Sequence, residues 1–353
     1  MLKRLLRILP ILALVTPGQA ATDRVLVIVN DESPVSTEIG QYYAAKRGIG
    51  NQFICHIKVS PSEKIGLKEY HEKIRIPIKE HIQKYGLPNL DFIVTTKDVP
   101  LVDDRGFSID SLLTNLPSGV EKQIANPYFL RDSRFKSSAY GYFIVTRLDG
   151  YTIKDVKGLI DRSVASAGKR GLILLDLDPT KDTRPGYVDL NQDIRMAAIG
   201  LAERGTPYKL ESTGEFAGNY KNLIGYYSWG SNDTHFDKKR YLSNTFVPGA
   251  IAETIVSTSG RSFEPQAGGQ SMIADLIQTG ITGVKGYVTE PYGTSMAKAS
   301  VLFDRYTKGY NLGESFYMAS PFLCWKDVVI GDPLCAPYAI VPKPVKKPTP
   351  KRR

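Results

Sequence analysis

The chain has 353 residues, with 46 Lys and Arg against 36 Asp and Glu and a formal charge of +10. Nine of the basic residues stand near the two ends: Lys3, Arg4, Arg7, Lys343, Lys346, Lys347, Lys351, Arg352 and Arg353. The rest is close to neutral, which argues against a nucleic-acid surface, and the length is ample for a large core or two packed lobes.

The first twenty residues have the layout of a secretory leader. Lys3, Arg4 and Arg7 precede a short apolar run, 8–15, and Pro17-Gly18-Gln19-Ala20 supplies small residues for cleavage after Ala20. The run is well short of the ~20 apolar residues that a membrane-spanning helix needs. Export to the periplasm or the exterior is therefore expected. At the other end, 339–353 is rich in Pro and Lys without an apolar period and is expected to be a disordered tail. Its charge suits contact with anionic surfaces, although a solvated tail needs no such partner.

Between these ends, apolar β-branched runs alternate with helical patterns. A strand over 25–29 is followed by a helix over 35–47, stopped by Gly48. A strand over 53–59 precedes a helix over 67–85, closed by Gly86 and Pro88, and 91–96 is a third strand. This rhythm implies a parallel sheet covered by helices on both faces. Residues 102–140 are irregular apart from a short helix over 110–116, and a stretch of that length often serves a site or a lobe junction. The rhythm then resumes with strands over 142–147, 171–175, 223–227, 254–257, 284–288 and 327–330. The helices among them run over 152–166, 189–204, 271–279, 294–308 and 312–319. The expected division is an N-terminal lobe over 21–140 and a C-terminal lobe over 141–338.

The three cysteines are Cys55, Cys324 and Cys335. Cys324 and Cys335 flank the last strand and form the best candidate pair in an oxidising compartment. Cys55 sits inside a strand-like run and reads as a buried hydrophobe rather than a nucleophile. No Cys-x-x-Cys or His-x-x-x-His spacing supports a transition-metal site.

In open parallel sheets ligands bind beyond the carboxyl ends of the strands. Those ends carry Asn30-Asp31, Lys97-Asp98, Arg147-Leu148-Asp149-Gly150, Asp176-Leu177-Asp178, Trp229-Gly230-Ser231-Asn232-Asp233, Thr289-Glu290-Pro291-Tyr292 and Gly331-Asp332-Pro333. Such carboxylates can form an acid–base pair or hold a divalent cation, but Asp and Asn also favour these turns for local reasons. Arg147, Asp149 and Glu290 are singled out because each interrupts an apolar strand end close to Gly or Pro. No other cofactor is indicated.

From the 223–227 strand onward the order of elements resembles the gingipain-type cysteine peptidases of the caspase-like fold. The resemblance places Trp229-Gly230-Ser231 where that family has His-Gly. It places Ser257-Thr258-Ser259-Gly260 where the family has its nucleophilic Cys. Helix 271–279, strand 283–288 and Ile330-Gly331-Asp332-Pro333 also match in kind. Over 25–338 the chain resembles an uncharacterised family of secreted bacterial proteins. The shared segments are Val29-Asn30-Asp31-Glu32-Ser33-Pro34, Lys97–Leu101, Thr146–Gly150, Glu290–Tyr292 and Gly331–Leu334. The fold implied is a three-layer α/β/α sandwich of caspase or flavodoxin-like type in two packed lobes.

A thiol attacks because a neighbouring imidazole makes thiolate available, and an indole cannot take that part. His235, five residues past Gly230, is the only histidine near enough in sequence to act as a displaced base. Three readings follow. The first is a non-catalytic caspase-fold protein whose cleft binds a peptide or glycan, lined by Trp229, Tyr226, Tyr227 and Tyr292, with Asn30, Asp98, Arg147, Ser231, Asp233 and Ser259 around it. The second is a hydrolase with a rebuilt site, with Asp149, Glu290 and Asp98 as acid, base or cation ligands and Ser257 or Ser259 assisting. The third is an envelope-associated structural protein held by its tail.

Overall fold

The computed structural model describes residues 22–340. The leader, its cleavage point and the tail therefore lie outside the described residues, except for Ala339 and Ile340. One ten-stranded sheet organises the chain. Its strands are β1 Val25–Asn30, β2 Ile54–Ile57, β3 Phe92–Thr96, β4 Ile144–Leu148, β5 Leu172–Asp176, β6 Tyr208–Glu211, β7 Leu223–Ser228, β8 Phe246–Thr254, β9 Gly283–Tyr287 and β10 Asp327–Ile330. Their order across the sheet is β2-β1-β3-β4-β10-β9-β8-β7-β5-β6. The sheet is mainly parallel. The last strand is antiparallel to β9 and meets β4 through a single pair, Ile330 opposite Arg147.

Helices cover both faces. α1 (Pro34–Arg47), α4 (Ile153–Val164) and α6 (Ile273–Gln278) pack together, as do α5 (Val188–Glu203), α7 (Ala299–Thr307) and α8 (Leu312–Ala319). Two shorter helices matter below, α2 (Ile76–Tyr85) and α3 (Ile109–Thr114). Coverage on both faces explains why β1, β4 and β7 are buried at every position and read as nearly continuous apolar runs. α1 starts and stops as its sequence dictates. Ser33 accepts the Ser36 N–H, Pro34 occupies the first turn, and Gly48 takes φ 68° to bond back to Ala44.

The boundary expected at 140/141 falls between β3 and β4, which pair directly along five residues, so the two expected lobes share one sheet. Two strands depart from expectation. β8 lies at 246–254, not 254–257. Pro248 and Gly249 punctuate it, Gly249 has φ 89°, and the pairing to β7 jumps from Leu223–Phe246 to Gly225–Ile251. That bulge hides the strand, since Pro and Gly depress any strand pattern. β6 has no apolar run because it is a half-exposed edge.

No disulfide joins the cysteines. All three are free and buried. β10 separates Cys324, which faces the Val120 carbonyl, from Cys335, which lies against Ser166 and Tyr306. Bridged Cα atoms sit within about 7 Å, and the intervening strand keeps this pair apart.

β10 is secured just past its end. Asp332 is fully buried and accepts from the Tyr43 hydroxyl at 2.7 Å and from Arg47 Nε at 2.6 Å, both on α1. Removing one member of a buried pair strands the other. Asp332→Ala is expected to lower unfolding free energy by about 3–5 kcal/mol in urea titrations. A loss below about 1 kcal/mol would show that this contact is not what holds the strand.

Candidate functional site

A densely charged cavity lies at the carboxyl ends of β3 and β4. It encloses about 470 Å³ and is lined by Pro61, Ser62, Glu63, Lys64, Lys97, Asp98, Val99, Leu101, Arg147, Asp149 and Glu264. Arg147 is its base. Its side chain is buried within β4, and Nε and Nη2 donate to both oxygens of Asp110 at 2.9 and 2.8 Å. Nη1 and Nη2 also donate to the carbonyls of Val99 and Pro100 at 2.7 and 2.8 Å. A buried guanidinium is tolerated when its donors are occupied in this way. The loop after β3 is thus folded down over the strand end.

Asp149 sits beside this fork. It is buried, accepts the Gly150 N–H at 2.8 Å, and lies 3.4 Å from both Arg147 and Lys97. Burial pushes its carboxyl up to about 6, even with Lys97 and Arg147 beside it. Burial pulls Lys97 down, but Asp149 and Glu264 more than restore it, so the ammonium stays charged. Lys97 also reaches Glu264 at 3.2 Å and the Phe263 carbonyl at 3.4 Å. Glu63 accepts the Phe263 N–H at 2.6 Å. The loop following β8 therefore forms one wall of the cavity. Lys97 and Arg147 face Glu63, Asp98, Asp149 and Glu264, and Asp110 neutralises Arg147 from below.

Several residues expected to line a cleft are scaffold. Asn30 is buried, with its amide donating to the carbonyls of Val59 and Asp98 and accepting from the N–H of Val59, so it ties the first three strand-end loops together. Asp98 has φ 68°, and its carboxylate accepts from Ser33 at 2.5 Å while its edge reaches the cavity. Trp229 is not a cleft residue. It is buried, its indole N–H bonds Asn191 at 2.8 Å, and Tyr187 meets its ring edge-on. Tyr226 and Tyr227 are likewise core, the latter bonded to the Ala297 carbonyl. Side chains on a strand covered on both faces have no route to solvent, whatever their polar tips suggest.

The expected trio Asp149, Glu290 and Ser257 is not assembled. Glu290 is exposed, its carbonyl takes the Lys326 ammonium, and neither an ion pair nor a hydrogen bond links it to Asp149. Tyr292 beside it is 66% exposed and packs on Trp325. Ser257 lies three residues beyond β8, half-buried, with no hydrogen-bonding base. Ser231 and Ser271 exchange backbone-to-hydroxyl bonds, and Asp233 is a buried turn residue that accepts the His235 N–H. His235 is exposed. Among the described residues no imidazole bonds a thiol, and no group of three or more His, Cys, Asp or Glu is disposed to hold a metal ion. Burial pushes the Cys55 and Cys324 thiols up to about 12 and raises Cys335 as well.

Sequence reasoning missed Lys97, Asp110, Glu63 and Glu264 as site residues. Lys97 was within reach, standing at a strand end before Val99-Pro100. Asp110 stands in a short helix whose docking the sequence does not show, and Glu63 and Glu264 come from irregular segments without a periodic signal.

No family model and no curated protein matches the chain. Solved structures do. A complex of the pro- and mature domains of Porphyromonas gingivalis RgpB aligns over 89% of this chain and 79% of its own, at 14% identity and a TM-score of 0.51. A structure described as a protease aligns over 91% and 80%, at 11% identity and a TM-score of 0.49. The first likeness establishes a caspase-like, gingipain-like α/β fold; at that identity it carries the fold alone.

A second buried carboxylate lies one strand beyond the β7–β8 pair. Asp176 ends β5, is fully buried, and accepts the Ala217 N–H through one oxygen, while the other has no partner. Burial pushes it up to about 8, the Ala217 bond opposes this, and Asp233 and Glu211 add to the rise. A carboxyl whose folded value exceeds the unfolded ~3.9 favours the folded state least above the folded value. Stability is lost as pH rises from about 4 through about 8. Asp176→Asn is therefore expected to raise the melting temperature at pH 8, by the equivalent of a few kcal/mol, with the gain vanishing near pH 4. An equal shift at both pH values would discard the titration argument.

Proposed function

We propose that this chain is an exported caspase-fold binding protein without peptidase activity, and that the Lys97–Asp149 cavity receives a cationic group of a peptide or glycan. The observation that carries this reading is the state of Asp149. It is buried and paired to two cations, the cavity's carboxylates Glu63 and Glu264 are taken up by the Phe263 N–H and by Lys97, and no serine or thiol is hydrogen-bonded to it. What supports the absence of a dyad is the chemistry where the sequence resemblance would place it: a buried indole engaged with Asn191, serines without a base, and thiols raised by burial elsewhere. The preference for a cation rests on the excess of carboxylates, Glu63, Asp98, Asp149 and Glu264, over the ammoniums of Lys64 and Lys97 at the cavity. An incoming ammonium or guanidinium would exchange with Lys97 for Asp149 and Glu264. Export rests on the leader pattern of the first twenty residues.

The hydrolase reading keeps one supporting observation, the Asp149 carboxyl near 6, which suits proton exchange at neutral pH. A single experiment separates the two. The mature protein and its Asp149→Asn, Glu290→Gln and Ser257→Ala variants are assayed with mixed peptide and ester substrates, and by fluorescence polarisation with labelled lysine-containing and glutamate-containing peptides. The expected result is no turnover in any form, with lysine-peptide binding weakened about tenfold or more by Asp149→Asn (~1.4 kcal/mol). Turnover that disappears in one variant would establish a hydrolase instead, and preferential binding of glutamate peptides would overturn the assigned ligand charge.

A further inference from the structure

A different cavity, of about 570 Å³, opens at the free edge of the sheet beside β2, and it shares no lining residue with the Lys97–Asp149 cavity. β2 pairs only with β1, so its outer backbone groups face this space. The polar lining comes from Thr37 and Gln41 of α1, Asn51 of the turn before β2, His56 of β2, and His81, Lys84 and Tyr85 of α2. We propose that it is a binding site for a small oxyanion ligand, a phosphate ester or a polycarboxylate, held by Lys84 and the two imidazoles.

Beside the apolar Val29 and Ile54, the lining brings two side-chain amides, two hydroxyls, two imidazoles and one ammonium. Gln41, Asn51 and Tyr85 make no side-chain hydrogen bond to the protein, and Lys84 lies over the Tyr85 ring at 5.2 Å without a carboxylate partner. His56 is oriented by Asp31, which lies 2.7 Å from Nδ1, leaving Nε2 as the ring's available nitrogen. His81 is held through Nε2 on the Gln52 carbonyl at 2.9 Å and by its ring against Tyr85 at 4.7 Å, leaving Nδ1 available. The charged and titratable groups facing the space are few. β2 brings His56, the turn after β1 brings Asp31 against it, and α2 brings His81, Lys84 and Tyr85. α1 and the turn before β2 contribute only neutral groups. The Asp31 carboxylate is taken up by His56, so Lys84 is the standing cation of the lining, and the free nitrogen of each imidazole becomes a donor when its ring takes a proton.

Burial lowers His81, the Gln52 bond opposes this, and His56 and Lys84 lower it further. A bound anion relieves that repulsion, so binding draws a proton onto His81 and strengthens as pH falls.

The test is isothermal titration of the mature protein with inorganic phosphate, with citrate, and with glucose as the uncharged control, at pH 6 and pH 8. One or both anions are expected to bind at one site per chain, several-fold tighter at pH 6. Lys84→Ala and His56→Gln, both at exposed positions, are each expected to weaken binding about tenfold, with circular dichroism unchanged. Phosphate binding alone assigns a phosphate ester, and citrate binding alone a polycarboxylate. The proposal is overturned if neither anion binds, if glucose binds as well as they do, or if affinity survives both substitutions.

Discussion

The fork between Arg147 and Asp110 sets the geometry on which the candidate site depends. An ionised side chain inside a strand is costly to desolvate, by several kcal/mol even after relaxation, unless its donors are met. Here Asp110 and the carbonyls of Val99 and Pro100 meet them. Satisfying one side chain therefore fixes three things: the path of the loop after β3, the docking of α3 through Asp110, and the end of β4 where Asp149 stands. Thr95 adds a bond to the same Asp110 oxygen at 2.9 Å, so β3, α3 and β4 share one carboxylate. Lys97 and Asp149 then face each other because both flank this fixed element.

The same residue type at successive strand ends serves different ends, and burial with partner supply decides which. Asp332 is consumed by Tyr43 and Arg47 and holds the last strand. Asp178 accepts from Thr180 and Thr234, which hold its carboxyl well below the usual range despite burial. Asp176 has one weak donor and an elevated carboxyl. Asp149 alone combines burial, cationic neighbours and an opening to a cavity large enough for a ligand group. A row of carboxylates in sequence is thus mostly capping and latching, as the physics of turns predicts.

Element existence was legible wherever an apolar period survived. The strands β1, β3, β7 and β10 and the helices α1, α4, α5 and α8 fall within a residue or two of expectation. β8 was not legible because its bulge at Pro248-Gly249 breaks the pattern and two of its core positions, Ala250 and Ala252 on either side of Ile251, are alanines. That single misplacement put Ser257 and Ser259 at a strand end, whereas they lie in the following loop. The candidate site was half legible. Arg147 and Asp149 stood out as charges closing an apolar run, but their partners Asp110, Glu63 and Glu264 come from segments whose position depends on tertiary closure. Trp229 shows the opposite failure. Its place beside Gly230-Ser231 suggested a cleft, yet the helix-borne Asn191 offers its indole a buried acceptor, and an aromatic of that size gains more from the core.

β8 and β9 repeat the logic of β4 on a smaller scale. Glu253 and Lys285 are paired across these strands and are fully buried. Glu253 accepts the Ala297 N–H at 2.9 Å and the Tyr287 hydroxyl at 2.7 Å, and Lys285 donates to the same hydroxyl. The charges again anchor an irregular segment, here the approach to α7, as Arg147 anchors the loop after β3. Charged residues inside strands that are otherwise apolar are expensive, and each of these is offset by bonds to loop backbone. In this fold they mark where a loop is pinned to the sheet. A pinned loop becomes a binding wall only where, as beside Asp149, an open cavity adjoins it.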